Sequence, residues 1–189
     1  ELEQRGLRFT RYADDTMVFT KSEMAANRVM KSITDWIERK LFLKVNATKT
    51  KVVRPTRSKY LGFTFLNHGG EWKVKPTTEK KKKLKQKLSE YLKRNKAIAR
   101  PLAVTIKRVN EIVRGWINYF RIGMMKTFMQ EFGAWLRHKI RVIVIKQWKT
   151  PKTIYRNLCY LNQKNKNGFD HEAIYKVANS SLGWYRRSG

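Results

Sequence analysis

The chain has 189 residues, 41% of them apolar and 12% aromatic, with 43 Lys and Arg against 14 Asp and Glu and a formal charge of +29. Such a length gives one or two domains, and the aromatics exclude a disordered polycation, which lacks the apolar side chains to build a core. The charge exceeds what solubility requires and calls for a polyanion, either nucleic acid or an acidic membrane surface.

Cys159 stands alone, which excludes a disulfide framework and offers no zinc site; it reads as a small core residue. No apolar run approaches the ~20 residues of a membrane span, and no signal peptide is evident, so a reducing, cytosolic setting is expected. The opening ELEQRGLRF has no initiator Met and reads as the middle of a longer polypeptide.

In chain order, Arg8 to Tyr12 and Thr16 to Thr20 are short β-prone runs, joined by Ala-Asp-Asp as a tight hairpin. Ser22 is an N-cap. Met24, Val29, Ile33, Trp36, Ile37 and Leu41 follow at helical spacing, and that helix ends near Lys40. Phe42 to Val45 and Lys51 to Arg54 are expected to form short strands around NATKT. SKYLGFTF, Ser58 to Phe65, is expected to be another, with Asn67-His68-Gly69-Gly70 turning it into GEWKVKP. The first ~75 residues thus read as a small α+β unit.

After Pro76 the pattern is helical. Thr77 caps a helix expected to reach Ala99, with Leu84, Leu88, Tyr91 and Leu92 as its apolar stripe. Arg100-Pro101 breaks it. A helix from Val104 to Phe120 carries Ile106, Val109, Ile112, Val113, Trp116 and Phe120. Another, from Met125 to Lys149, carries Phe128, Phe132, Trp135, Leu136, Ile140, Ile143 and Val144. Three amphipathic helices on short connections imply a bundle. A short helix at Ile154 to Leu161, a polar loop NQKNKNG and a helix at His171 to Ser180 complete the chain. The fold class is α+β.

Charge is uneven. Residues 1–65 hold 14 basic and 7 acidic side chains; residues 66–189 hold 29 and 7. The lysine run KKKKLKQK and the bases interleaved through the later helices form a collective field suited to phosphates. Its helical setting suits A-form RNA or an RNA–DNA hybrid, which is read through backbone shape. Lys81, Lys82, Lys85, Arg114, Arg137, Arg141 and Lys146 are the candidate contacts. Tyr155, Tyr160, Trp184 and Tyr185, near Arg156, Arg186 and Arg187, can stack on unpaired bases or pack in a core. Trp116, Tyr119 and Phe120 read as bundle core, with Gly115 allowing close helix approach. His68, His138 and His171 are scattered and suggest no metal geometry.

The paired acids Asp14 and Asp15 have two readings. Asp tolerates turn geometry and hydrogen-bonds its own backbone. Alternatively, a tight hairpin pushes both carboxylates out of one end of a sheet, where a hard cation such as Mg²⁺ takes few oxygen ligands supplemented by phosphate and water. Two such ions can activate an attacking oxygen and stabilise a leaving one in phosphoryl transfer, but two carboxylates are too few to hold both.

Tyr12-Ala13-Asp14-Asp15 resembles the tyrosine-x-Asp-Asp hairpin of reverse transcriptases. LFLKVNATKTKVV resembles the following palm motif, and KYLGFTF the primer grip. RGWINYFRIG resembles the thumb signature of group II intron-encoded maturases, and KQWKTPKT a further downstream element. Together they span Arg8 to about Tyr185, in the family's order. The resemblance implies the end of a palm over 1–75, a helical thumb or maturase-specific domain over 76–149, and a nucleic-acid-binding extension over 150–189. It implies Mg²⁺ as cofactor, with Asp14 as a metal ligand and Asp15 as its less direct partner. It places Lys49 near the incoming nucleotide's phosphates, and Tyr12, Leu61, Gly62 and Phe63 against template and primer.

The partners implied are intron RNA, an RNA template and a DNA primer, with no membrane, in the cytoplasm of a bacterial or organelle-type intron host. The family's fingers and first catalytic aspartate have no counterpart in these residues. The chain alone is therefore expected not to polymerise DNA, whereas a longer parent would. Two alternatives stay open: a non-catalytic RNA-binding splicing factor derived from such a protein, and a retron or CRISPR-associated reverse transcriptase, from which RGWINYF discriminates. A membrane-surface protein is disfavoured because the apolar stripes have bundle partners available.

Overall fold

The computed structural model describes residues 1–183, 186 and 188. It divides into two compact units, Glu1–Thr77 and Thr78–Gly189. Among the described residues no helix is long and apolar enough to cross a membrane.

The first unit contains two antiparallel hairpins that do not merge into one sheet. Strands β1 (Arg8–Tyr12) and β2 (Asp15–Phe19) pair with Phe9 opposite Val18 and Tyr12 opposite Asp15. Asp15 is therefore a strand residue, and only Ala13 and Asp14 form the turn, one residue tighter than the sequence suggested. Helix α1 (Glu23–Leu41) starts where expected, with Ser22 Oγ accepting from the Ala25 amide at 3.2 Å. It stops because Phe42 turns left-handed. Strands β3 (Phe63–His68) and β4 (Glu71–Pro76) form the second hairpin, turning through Gly69 and Gly70 at positive φ, the type I′ pattern that matches strand twist. The two hairpins touch where Phe19 meets Phe65 edge to face, with centroids 5.9 Å apart.

Two expected strands are not strands, and a third forms only in its second half, Phe63 to Phe65. Phe42 to Val45 and Lys51 to Arg54 are irregular, because Asn46 folds the chain between them into an Asx turn. Its Oδ1 accepts from the amides of Thr48 and Lys49, each at 3.1 Å. Ser58 to Gly62 is also irregular. Tyr60 and Phe63 exchange both backbone hydrogen bonds, at 3.0 and 2.8 Å, around Leu61 and Gly62. Both central residues have positive φ, a second type I′ turn.

The second unit is helical: α2 (Thr78–Tyr91), the single turn α3 (Arg94–Ala97), α4 (Leu102–Phe120), α5 (Lys126–Trp148), α6 (Pro151–Asn165) and α7 (His171–Ala178). The helix expected to run to Ala99 ends at Tyr91. Arg100 folds back there, donating to the Tyr91 carbonyl and laying its guanidinium 4.0 Å from the Tyr91 ring. The break lets both Leu92 and Ala97 reach the core. Gln147 of α5 closes the region by donating to the carbonyls of Ile98 and Arg100. The main core joins Leu84 and Leu88 of α2, Val109 of α4, and Phe132 and Ile143 of α5. A second core joins Ile145, Ile154 and Ala178 across α5, α6 and α7. Helix α6 runs through the first part of the expected loop to Asn165.

Candidate active-site turn and nucleic-acid surface

The hairpin delivers both acids to its tip. Asp14 and Asp15 are exposed, and Asp15 shares a sheet face with Tyr12, its register partner, which is 66% exposed. Ala13 carries the turn at φ 52°, the first-position pattern of a type II′ turn, where glycine is usual. An alanine held there costs about 1–2 kcal/mol, so the backbone accepts strain to present Asp14 at a fixed place.

The foot of the Leu61–Gly62 turn lies beside this hairpin. Tyr60 Oη donates to the Asp15 carbonyl oxygen at 3.4 Å. Leu61, Gly62 and Phe63 are half-buried. The acid turn and the Leu-Gly-Phe segment, 45 residues apart, are thus brought together. Tyr60 was missed by sequence reasoning, because its bond to Asp15 spans 45 residues and leaves no local signal. Lys49 is exposed and fixed by its amide on the Asn46 turn. Among the described residues no hydrogen bond or ion pair joins it to the acids.

Two adjacent carboxylates on an exposed turn fit one hard cation, with water or phosphate completing its shell. They do not fit two: among the described residues no three His, Cys, Asp or Glu side chains gather to hold a metal.

In the second unit the candidate bases take different positions. Lys82 of α2 is exposed, whereas Lys81 and Lys85 are half-buried against α5. The Lys81 ammonium lies 5.1 Å from the Phe128 ring centroid, and that of Lys85 lies 5.9 Å from Trp135. Arg137 and Arg141, one turn apart on α5, are exposed, and Lys146 is half-buried. Arg114 of α4 is exposed and, with Leu102 and Ile106, lines an open hollow of about 770 Å³.

The aromatic assignments divide. Phe120 is buried, and Trp116 is half-buried against Phe120 and Phe128 at 4.5 and 5.4 Å. Tyr119, expected in the core, is 54% exposed. Its neighbour Gly115 permits no close helix contact either, since a Cβ there would meet nothing within 4 Å. Tyr155 is half-buried, with its hydroxyl 3.0 Å from His171 Nδ1. Its phenol pKa is raised, first by a hydrogen bond with Cys159, then by burial and the charge of the same thiol. Tyr160 is exposed between Arg156 and Lys164. With Lys152 they occupy every fourth position of α6, a stripe only partly recognised from sequence but legible in its spacing. Trp184, Tyr185 and Arg187 lie outside the described residues.

Comparison with known protein families identifies both regions of the chain. Residues 81–180 match the family described as group II intron, maturase-specific domain. Residues 1–65 match reverse transcriptase (RNA-dependent DNA polymerase). No curated protein matches the chain.

Proposed function

Since the chain belongs to the group II intron reverse transcriptase/maturase family, we propose that it binds intron RNA and a template–primer duplex, assists splicing, and supplies two acids to RNA-directed DNA synthesis. The observation that carries the reading is the exposed Asp14–Asp15 turn, tied through the Asp15 carbonyl to Tyr60 beside Leu61 and Gly62. Asp14, at the tip, is the metal-ligating acid and Asp15 its partner. One Mg²⁺ bound there would supply positive charge beside the reacting phosphate; the second ion of the reaction would need a further carboxylate. Lys49, on its Asx turn, meets nucleotide phosphates. Tyr12 and the Leu61–Phe63 segment position the primer end. Lys82, Arg114, Arg137 and Arg141 contact the RNA or hybrid backbone, with Lys81, Lys85 and Lys146 contributing charge from half-buried positions. The setting is the bacterial cytoplasm or organelle matrix where intron RNA is made.

A two-ion reaction needs a further carboxylate, so the 189 residues alone should give no Mg²⁺-dependent primer extension on homopolymer RNA; robust extension would overturn this. In a polypeptide joining the chain to fingers and a first palm strand, Asp14→Asn should abolish extension and spare RNA binding. Retained synthesis would defeat the assignment. The second reading, a splicing factor that binds RNA without synthesis, predicts splicing assistance without extension in such a longer polypeptide.

A further inference from the structure

We propose that the basic face of α1 is a binding site for a nucleoside phosphate, presented free or as an unpaired residue of an RNA strand. Arg28, Lys31, Trp36, Arg39 and Lys40 recur at helical spacing, and with Arg5 they line an open hollow of about 500 Å³. None of the residues of the acid turn lines it, and the inference does not rest on the polymerase reading.

Three features mark this face. First, Arg28, Lys31, Arg39 and Lys40 make no ion pair among the described residues, whereas Arg108 is paired with Glu111 at 2.8 Å and Lys176 with Glu172 at 2.7 Å. Arg28 and Lys31 stand one turn apart with like charge, which opposes helix formation unless an anion lies between them. Second, Arg5 is held in place rather than free. It donates to Ser32 Oγ and pairs with Glu1, so one cation of the hollow is held in place. Third, the lining includes a ring and an acid. Trp36 is half-buried and offers a stacking surface for a base. Asp35 is half-buried in the same hollow and makes no ion pair among the described residues. A bare phosphate gains nothing from a carboxylate; a ribose hydroxyl or a base N–H donates to one. Cations for phosphate, a ring for the base and an acceptor for the sugar or base edge together specify a nucleotide.

The test uses the full chain labelled with ¹⁵N at its tryptophan indoles, the Trp36 signal being assigned from Trp36→Phe. Uridine monophosphate, uridine, inorganic phosphate and octauridylate are the probes. The Trp36 signal should shift saturably with the monophosphate, the octamer or both, and far less with uridine or phosphate. A response to the octamer alone identifies an RNA strand as the ligand; a response to the monophosphate identifies a free nucleotide as sufficient. Arg28→Gln/Arg39→Gln, both exposed positions, should weaken the response about tenfold through loss of charge-assisted hydrogen bonds. Lys31→Gln/Lys40→Gln is the second variant, and far-ultraviolet circular dichroism verifies folding of each. A Trp36 signal unmoved by monophosphate and octamer, uridine acting as well as its phosphate, or both folded double variants titrating like the parent would each overturn the proposal.

Discussion

Replacing Lys82, Lys83 and Lys87 with Gln separates the part of α2 that faces solvent from the part that faces α5. All three are exposed, while Lys81 and Lys85 lie over Phe128 and Trp135. Each phosphate contact steepens the log–log dependence of affinity on salt by about 0.7 for single strands and 0.9 for duplex. Raising salt from about 50 to 200 mM therefore costs about 2.6- to 3.5-fold per contact, or about 20- to 40-fold for three. The triple variant should show a salt slope shallower by about 2 to 3 and unchanged thermal stability. Fluorescence anisotropy with a labelled RNA duplex, at four salt concentrations, measures the slope. Lys81→Gln/Lys85→Gln should behave in the opposite way. Losing two cation–π contacts costs about 0.5–1 kcal/mol each, so stability falls by about 1–2 kcal/mol and the slope changes less. A triple variant with the parent's slope would refute the placement of phosphate on this face, however basic it is.

Other perturbations test neighbouring features. Phe132→Ala should destabilise the helical unit by about 3–5 kcal/mol in urea unfolding, because Phe132 is 1% exposed and its ring packs on Phe128 and Trp135. Gly115→Ala should stabilise the chain by about 0.5–1 kcal/mol, since the added methyl meets open space in mid-helix; reduced RNA affinity in the same variant would show that a ligand backbone approaches there. Cys159→Ala should bring the Tyr155 phenol back toward its ordinary pKa, seen as an earlier absorbance rise at 295 nm in alkaline titration, because the thiol is the largest cause of the upward shift. The sign follows from the proton held longer in the folded chain: below the ordinary phenol pKa the pair costs nothing, and stability falls as pH rises through the raised value.

Helices were legible because their signals are local and redundant. Ser22 and the stripe from Val29 to Ile37 fixed α1, and the apolar spacing in α4 and α5 placed both within about two residues, the ordinary uncertainty of a helix end. The α2 boundary was not legible. Nothing in its lysine-rich run announces a stop, and the stop is made by Arg100, nine residues on, which caps Tyr91. The short strands failed for a related reason. VNATKTKVV has β propensity, but a strand exists only when a neighbour pairs with it, and Asn46 offers the backbone a turn instead.

Site geometry divides along the same line between local and distant causes. That Asp14 emerges from a tight turn was readable from Tyr-Ala-Asp-Asp between two β-prone runs; that Ala13 bears positive φ was not, because residue preference argues against alanine there. The bond from Tyr60 to the Asp15 carbonyl spans 45 residues and has no local signature. Lysines show how charge counting misleads at single residues. Lys81 and Lys85 are as basic as Lys82 in the sequence, yet one turn of helix decides whether an ammonium meets an aromatic face or water. A long stem lets a lysine cover apolar surface and keep its charge at the rim, so the same residue serves packing and field at once. The field of the bundle is therefore a property of all its bases, while specific phosphate contact belongs to those that the apolar stripe leaves free to point outward.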